Sequence, residues 1–158
     1  MARHTFFSFH FERDVWRAGQ VRNSWVTQDR EAAGFWDKAK WEEVKKKGED
    51  AVHKWIDDQL KGTSVTVVLI GAETSSRDYV DYEITASHKK TNGMLGIYIH
   101  NLKDMDKKTD TKGSNPFDKW TFKTDGNVVK YPTYDWVSDD GYKNMGDWIK
   151  AAAKKAGR

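Results

Sequence analysis

Short, nearly continuous apolar runs alternate along this chain with stretches whose apolar residues recur at helical spacing. Ser64 to Ile70 (SVTVVLI) is β-branched and almost wholly apolar, as in a central strand buried on both faces. Gly71 ends the run. Beyond it, Ser75 or Ser76 is placed to cap a helix, with Asp78 three residues after Ser75 as in a capping box. That helix carries Tyr79 and Glu83 one turn apart, and Val80 and Ile84 mark the face that packs on the sheet.

The same alternation extends both ways. His4 to His10 (HTFFSFH) reads as a first strand, and Asp14 to Trp25 as a helix whose stripe runs through Val15, Ala18, Val21 and Arg22. Ala32 to Trp36 is a candidate second strand, with Asp37 to Trp41 a loop or single turn. Glu42 to Leu60 reads as helix, with Gly48 able to split it and Lys61-Gly62 to stop it. Asn92-Gly93 turns the chain into a further buried strand, Met94 to Ile99, ending at His100 and Asn101. The stretch from Leu102 to Asn115 is polar and reads as a long loop, either a lid or, preferably, a flexible insertion. Trp120 to Lys123 and Val128 to Tyr131 form a hairpin-like pair around Asp125-Gly126-Asn127. Tyr134-Asp135-Trp136 leads to a last helix, capped in Ser138-Asp139-Asp140, with Tyr142, Met145, Trp148, Ile149 and Ala152 along one stripe. Strands alternating with helices in this order predict an α/β domain with a parallel, doubly wound sheet and right-handed crossovers.

Composition narrows the function classes. The 158 residues suit one domain, without internal repeat or linker. A net charge of +3 from 27 basic and 24 acidic residues spread along the chain argues against nucleic acid as partner. No apolar run approaches a membrane span and no signal-peptide pattern opens the chain, so a cytoplasmic location is expected. Cysteine is absent, which excludes disulfides, thiol nucleophiles and cysteine zinc sites. Eight Trp, seven Phe and six Tyr exceed what a core of this size needs, so some should border a cleft.

In an open α/β sheet, ligands collect at the carboxyl ends of the strands, which the helix bearing Glu83 overlooks. A glutamate on a surface helix is most often solvated or ion-paired. Val80 and Ile84 instead place Glu83 at the border between buried and wet, where its pKa can shift, and Tyr79 offers a ring for stacking. His10 and His100 end two strands and suit hydrogen bonds to loops or a ligand. With His4, His53 and His88 they show no metal-ligand spacing, so no metal is expected. Ser8 lies between Phe7 and Phe9 with no nucleophile elbow, and reads as a strand hydroxyl at the cleft. Neither common nucleotide-binding glycine motif occurs. A phosphoacceptor domain is disfavoured because the strands end in Gly71 and His100 rather than in an acidic cluster.

Seven segments in order, HTFFSFH, VRNSWVTQ, AAGFWDKAKWEEVKK, TSVTVVLIGAETSSRDYVDYEI, GIYIHNLKD, KGSNPFDKW and YDWVSDDGYKNMGDWI, carry a resemblance to the bacterial TIR-like domains of the Thoeris antiphage system. The resemblance implies a three-layer, flavodoxin-like TIR fold with a mostly parallel sheet of about five strands. It implies an NAD glycohydrolase or ADP-ribosyl cyclase that releases nicotinamide, with NAD as substrate and no further cofactor. The product would be a cyclic ADP-ribose-type signal that reaches a separate sirtuin-like effector by diffusion; a phage trigger and self-association belong to the same picture. The family's glutamate falls on Glu83, and its aromatic on Tyr79, where many relatives carry Trp. Phe7, Ser8, His10, His100 and Asn101, at neighbouring strand ends, are then the expected pocket floor and orienting groups. The alternative is a non-enzymatic TIR scaffold or sensor that works through protein assembly.

Overall fold

The computed structural model describes residues 4–26, 32–33 and 38–158. Five parallel strands form the central sheet in the order β2-β1-β3-β4-β7: β2 (Ala32–Ala33), β1 (Thr5–Ser8), β3 (Val65–Ile70), β4 (Gly93–Tyr98) and β7 (Thr133–Asp135). This is the flavodoxin-like order, and its direction of winding reverses between β1 and β3, where such sheets open a ligand crevice. All four residues of β1 and all six of β3 are buried, as continuous apolar runs between two helical layers require.

The layers follow from side-chain parity. Phe7, Val65, Val67, Leu69, Leu95 and Ile97 point to the face covered by α1 (Phe11–Val26) and α5 (Gly141–Lys155), meeting Ala18, Val21, Met145 and Ile149. Phe6, Val68, Ile70 and Met94 point to the other face, covered by α3 (Glu49–Leu60), α4 (Asp78–Lys89) and the hairpin of β5 (Phe122–Thr124) and β6 (Asn127–Val129). Asp125 and Gly126 join β5 to β6 with φ of 53° and 82°, the positive pair that a type I′ turn demands. Gly48 divides α2 (Lys38–Lys46) from α3 with φ 99°, as its place in the sequence predicts.

Several local expectations differ from the structure. Lys38 to Trp41 is the first turn of α2 rather than a loop, and Trp41 is buried there. Residues 34–36 of the expected second strand lie outside the described residues. Val15 and Arg22 are exposed, so the stripe of α1 runs instead through Phe11, Asp14, Ala18, Val21 and Trp25. Tyr142 of α5 is likewise exposed. Neither Ser75 nor Ser76 caps α4: both lie in a single 3-10 turn, Thr74–Ser76, and Ser76 Oγ donates to the Glu73 carbonyl. The acids before α5 fold a turn instead of capping it. Asp135 Oδ1 accepts from the Val137 and Ser138 amides, and Asp139 Oδ2 accepts from the Asp135 amide. The loop after β4 is tied down rather than free: Arg17 donates to the Leu102 and Lys108 carbonyls at 2.8 and 2.9 Å, and Gln20 donates to the Lys103 carbonyl at 2.7 Å. Among the described residues no helix is long and apolar enough to cross a membrane.

Candidate active site

At the carboxyl end of β1 the chain brings together two of the expected site residues, Ser8 and Glu83. Ser8 is the last residue of β1 and shares a face with Phe6, so its side chain meets α4. Its hydroxyl donates to Glu83 Oε1 at 2.8 Å. Glu83 sits on the packing stripe of α4 with Val80, Ile84 and Ser87, and only 2% of it is exposed. Burial disfavours the charged carboxylate and pushes its pKa up to about 8, with the Ser8 hydrogen bond working the other way. The expectation of a border position is therefore corrected: Glu83 is enclosed and mainly protonated at neutral pH.

Tyr79, one turn earlier, closes the space above it. Its phenol oxygen accepts from the Phe11 amide at 2.6 Å and donates to the Phe9 carbonyl at 3.2 Å. It thus hydrogen-bonds an amide at the start of α1, a task usually left to a side chain at the cap. Burial raises its pKa, so the phenol stays neutral. The Tyr79 ring packs on Trp41 with centroids 5.0 Å apart. Both rings form a wall of a groove of about 550 Å³ that also takes in Glu12, Lys45, His53 and Arg77. Glu83 is not in that wall, whereas Tyr79, one turn before it on α4, is.

The other sequence-derived candidates scatter. Phe7 points to the α1 side, where its ring meets Trp25 edge-on at 6.3 Å, so it belongs to the opposite core and not to a pocket floor beside Glu83. His10 does reach the carboxyl edge, but buried: its Nδ1 accepts from the Arg13 amide at 3.3 Å, capping α1, and Glu73 lies 3.8 Å from Nε2. Burial, helped by Arg77, lowers its pKa and holds it neutral. His100 is buried with its Nδ1 unpaired, while its carbonyl accepts from the Asp110 amide. Asn101 is exposed.

Residues not singled out in the sequence form a charged cluster beside Gly71, at the carboxyl end of β3. Arg13 grips Asp110 with two hydrogen bonds, 2.8 and 2.9 Å, and reaches Glu73 at 3.1 Å. Asp14 is wholly buried against Gly71, with no hydrogen-bond partner for either oxygen. The Arg17 guanidinium lies 3.5 Å away, and burial raises the acid's pKa to about 6. A side chain at position 71 would collide with that carboxylate, which explains why the strand ends in glycine. The aspartate three residues into α1, followed by Arg17 at the next i+3 position, was the one available sequence signal for this pair.

With this geometry in place, relatedness settles the family. The model for the TIR-like domain of the Thoeris protein ThsB matches residues 6–104, which span β1 through β4 and include Ser8, Tyr79 and Glu83. The chain belongs to the ThsB TIR-like domain family. A Bacillus cereus (strain MSX-D12) protein named "Putative cyclic ADP-D-ribose synthase ThsB1" is 34% identical over 191 aligned residues, covering 94% of this chain and all of that protein. The fold agrees: the parallel sheet in flavodoxin-like order is that of a TIR-like domain.

Proposed function

We propose that this protein consumes NAD, releasing nicotinamide and closing the remaining ADP-ribose into a cyclic signal for antiphage defence, with Glu83 as the acting carboxyl. The observation that carries the reading is the enclosed Glu83, hydrogen-bonded to Ser8 at the β1–β3 junction of a ThsB-family domain. The name of the Bacillus cereus relative supports the product class.

The chemistry follows from charge. The cationic nicotinamide ring and the ribose cation that follows its departure both favour an ionised carboxyl, so substrate binding draws the Glu83 proton off to solvent. The bond between ribose C1 and the nicotinamide nitrogen then breaks, its electron pair leaving with the ring, and the carboxylate steadies the oxocarbenium-like ribose. A nucleophile elsewhere on the same molecule attacks C1, and Glu83 takes up the proton it loses. One proton is released per turnover, and Glu83 ends as it began. Enclosure serves this scheme because cyclisation competes with attack by water. Substrate reaches the carboxyl from the groove once Tyr79 leaves its contacts with Phe9 and Phe11. The product acts on a sirtuin-like effector, and infection or self-association brings about the opening.

One observation favours a second reading. The groove does not reach Glu83, which a scaffold that only assembles with other TIR domains has no need to expose. Lysates of cells expressing the wild type or Glu83→Gln, with and without phage infection, separate the two by mass spectrometry. The enzyme reading expects nicotinamide and a cyclic ADP-ribose species in infected wild type alone. Their absence there, with the protein present and folded, overturns it and leaves the scaffold.

A further inference from the structure

A second cavity, of about 430 Å³, opens beside the last turn of α4, at the amino-terminal edge of the sheet. It lies below the short edge strand β7, between the hairpin and α5, and most of its wall comes from residues beyond the 6–104 stretch that matches the family model. Glu83 does not line the cavity, which has no part in the chemistry described above.

Its lining is selective in two respects. Tyr134 and Trp148 stack with centroids 4.1 Å apart and planes within 6°, giving a flat aromatic flank, and Met94 and Val129 supply aliphatic surface. Among the described residues the lining holds no aspartate or glutamate, whereas Lys130 and Lys155 stand exposed around it. Lys155 Nζ donates to the Lys130 carbonyl at 3.0 Å, which holds its ammonium at the mouth. His88 is already committed, to the Tyr131 hydroxyl at 2.6 Å and the Lys123 carbonyl at 3.0 Å, so the lysines are the cationic groups left to meet a ligand. The wall is also preformed. Gly93 lets β4 approach α5 so closely that a Cβ there would stand 2.3 Å from the Ala152 carbonyl oxygen.

We propose that this cavity binds a small planar aromatic anion, its ring system along the Tyr134–Trp148 stack and its negative group at Lys130 and Lys155. Flat aromatic surface selects shape, and two cations without a competing carboxylate select charge.

The test is a titration of the ¹⁵N-labelled full chain with 2-naphthoate and, separately, with its uncharged analogue 2-naphthalenemethanol, followed by amide and indole NMR. Saturable shifts are expected at the Trp148 indole and at the amides of Tyr131, Tyr134 and Lys155. The uncharged analogue, and the double variant Lys130→Gln/Lys155→Gln, should each bind about tenfold more weakly, as loss of charge-assisted contacts implies. Ala151→Trp, at an exposed position on the wall, should fill the space and remove the shifts. If that variant misfolds, the lysine variant carries the test, since both its positions are exposed. No saturable shift, shifts clustered elsewhere, or equal binding of the uncharged analogue overturns the proposal. None of these outcomes bears on NAD turnover, so the two readings fail separately.

Discussion

The middle and the last turn of α4 contrast sharply. Midway along the helix, Glu83 is buried, an ionisable group shut away from water whose carboxyl, among the described residues, accepts one hydrogen bond, from Ser8. Near its last turn, His88 has both ring nitrogens satisfied, yet beside it lies an open, cation-rimmed cavity. One helix therefore carries a site that excludes solvent at the expense of ionisation and a site that admits solvent without any buried charge. Enclosure suits a group that must meet a transient cation in the absence of water. Openness suits reversible binding.

The largest effect expected from breaking this contrast is at Gly93. Gly93→Ala forces a methyl into the Ala152 carbonyl, separating α5 from β4, and should cost about 3 kcal/mol or more in urea unfolding. Next comes the pH dependence of stability. Glu83 has its folded pKa raised to about 8 from 4.5, so the native state keeps a proton that the unfolded state gives up, and stability falls as pH rises through that window. Asp14, raised to about 6, acts with the same sign at lower pH, and His10, whose pKa is lowered, acts with the opposite sign up to its unfolded value of 6.5. Between about pH 7 and 8 the Glu83 slope stands largely alone, falling from about 1.2 to about 0.7 kcal/mol per pH unit as the native carboxyl itself titrates, and Glu83→Gln should flatten it. Ser8→Ala removes the bond that favours the charged form, so the Glu83 pKa should rise further and stability drop by about 1 to 2 kcal/mol, read by carboxyl NMR and denaturation. Smallest is Tyr79→Phe, which keeps the ring on Trp41 but removes the hydroxyl that bonds the Phe11 amide and the Phe9 carbonyl, costing about 1 kcal/mol in urea unfolding.

Much of this was legible in the chain because continuous apolar runs admit few arrangements. The parallel sheet, the break at Gly48 and the turn at Asp125-Gly126 follow from strand composition and glycine placement. The layer each strand face meets was not legible. Period two puts Ser8 on one side with Phe6, but β1 is buried on both faces, so nothing in TFFS tells which side packs on α4. β7 escaped because three residues after Pro132 show no periodicity; its pairing with β4 from Gly96 to Tyr98 makes it a strand. Glu83 was found for its spacing from Tyr79, but its enclosure depends on Ser8, 75 residues away. The caps at Ser75 and Ser138 failed for a related reason, since short polar side chains near a helix start can serve a local turn instead.

The central claim is that the enclosed Glu83 carboxyl breaks the bond between ribose and nicotinamide. Nicotinamide release from NAD by wild type and Glu83→Gln, each taken from infected cells and matched for melting temperature, tests it most directly. The account expects steady release by the wild type and a loss of about a hundredfold or more in the variant, the scale of removing a charge-stabilising catalytic group. Equal release by the two proteins would contradict it.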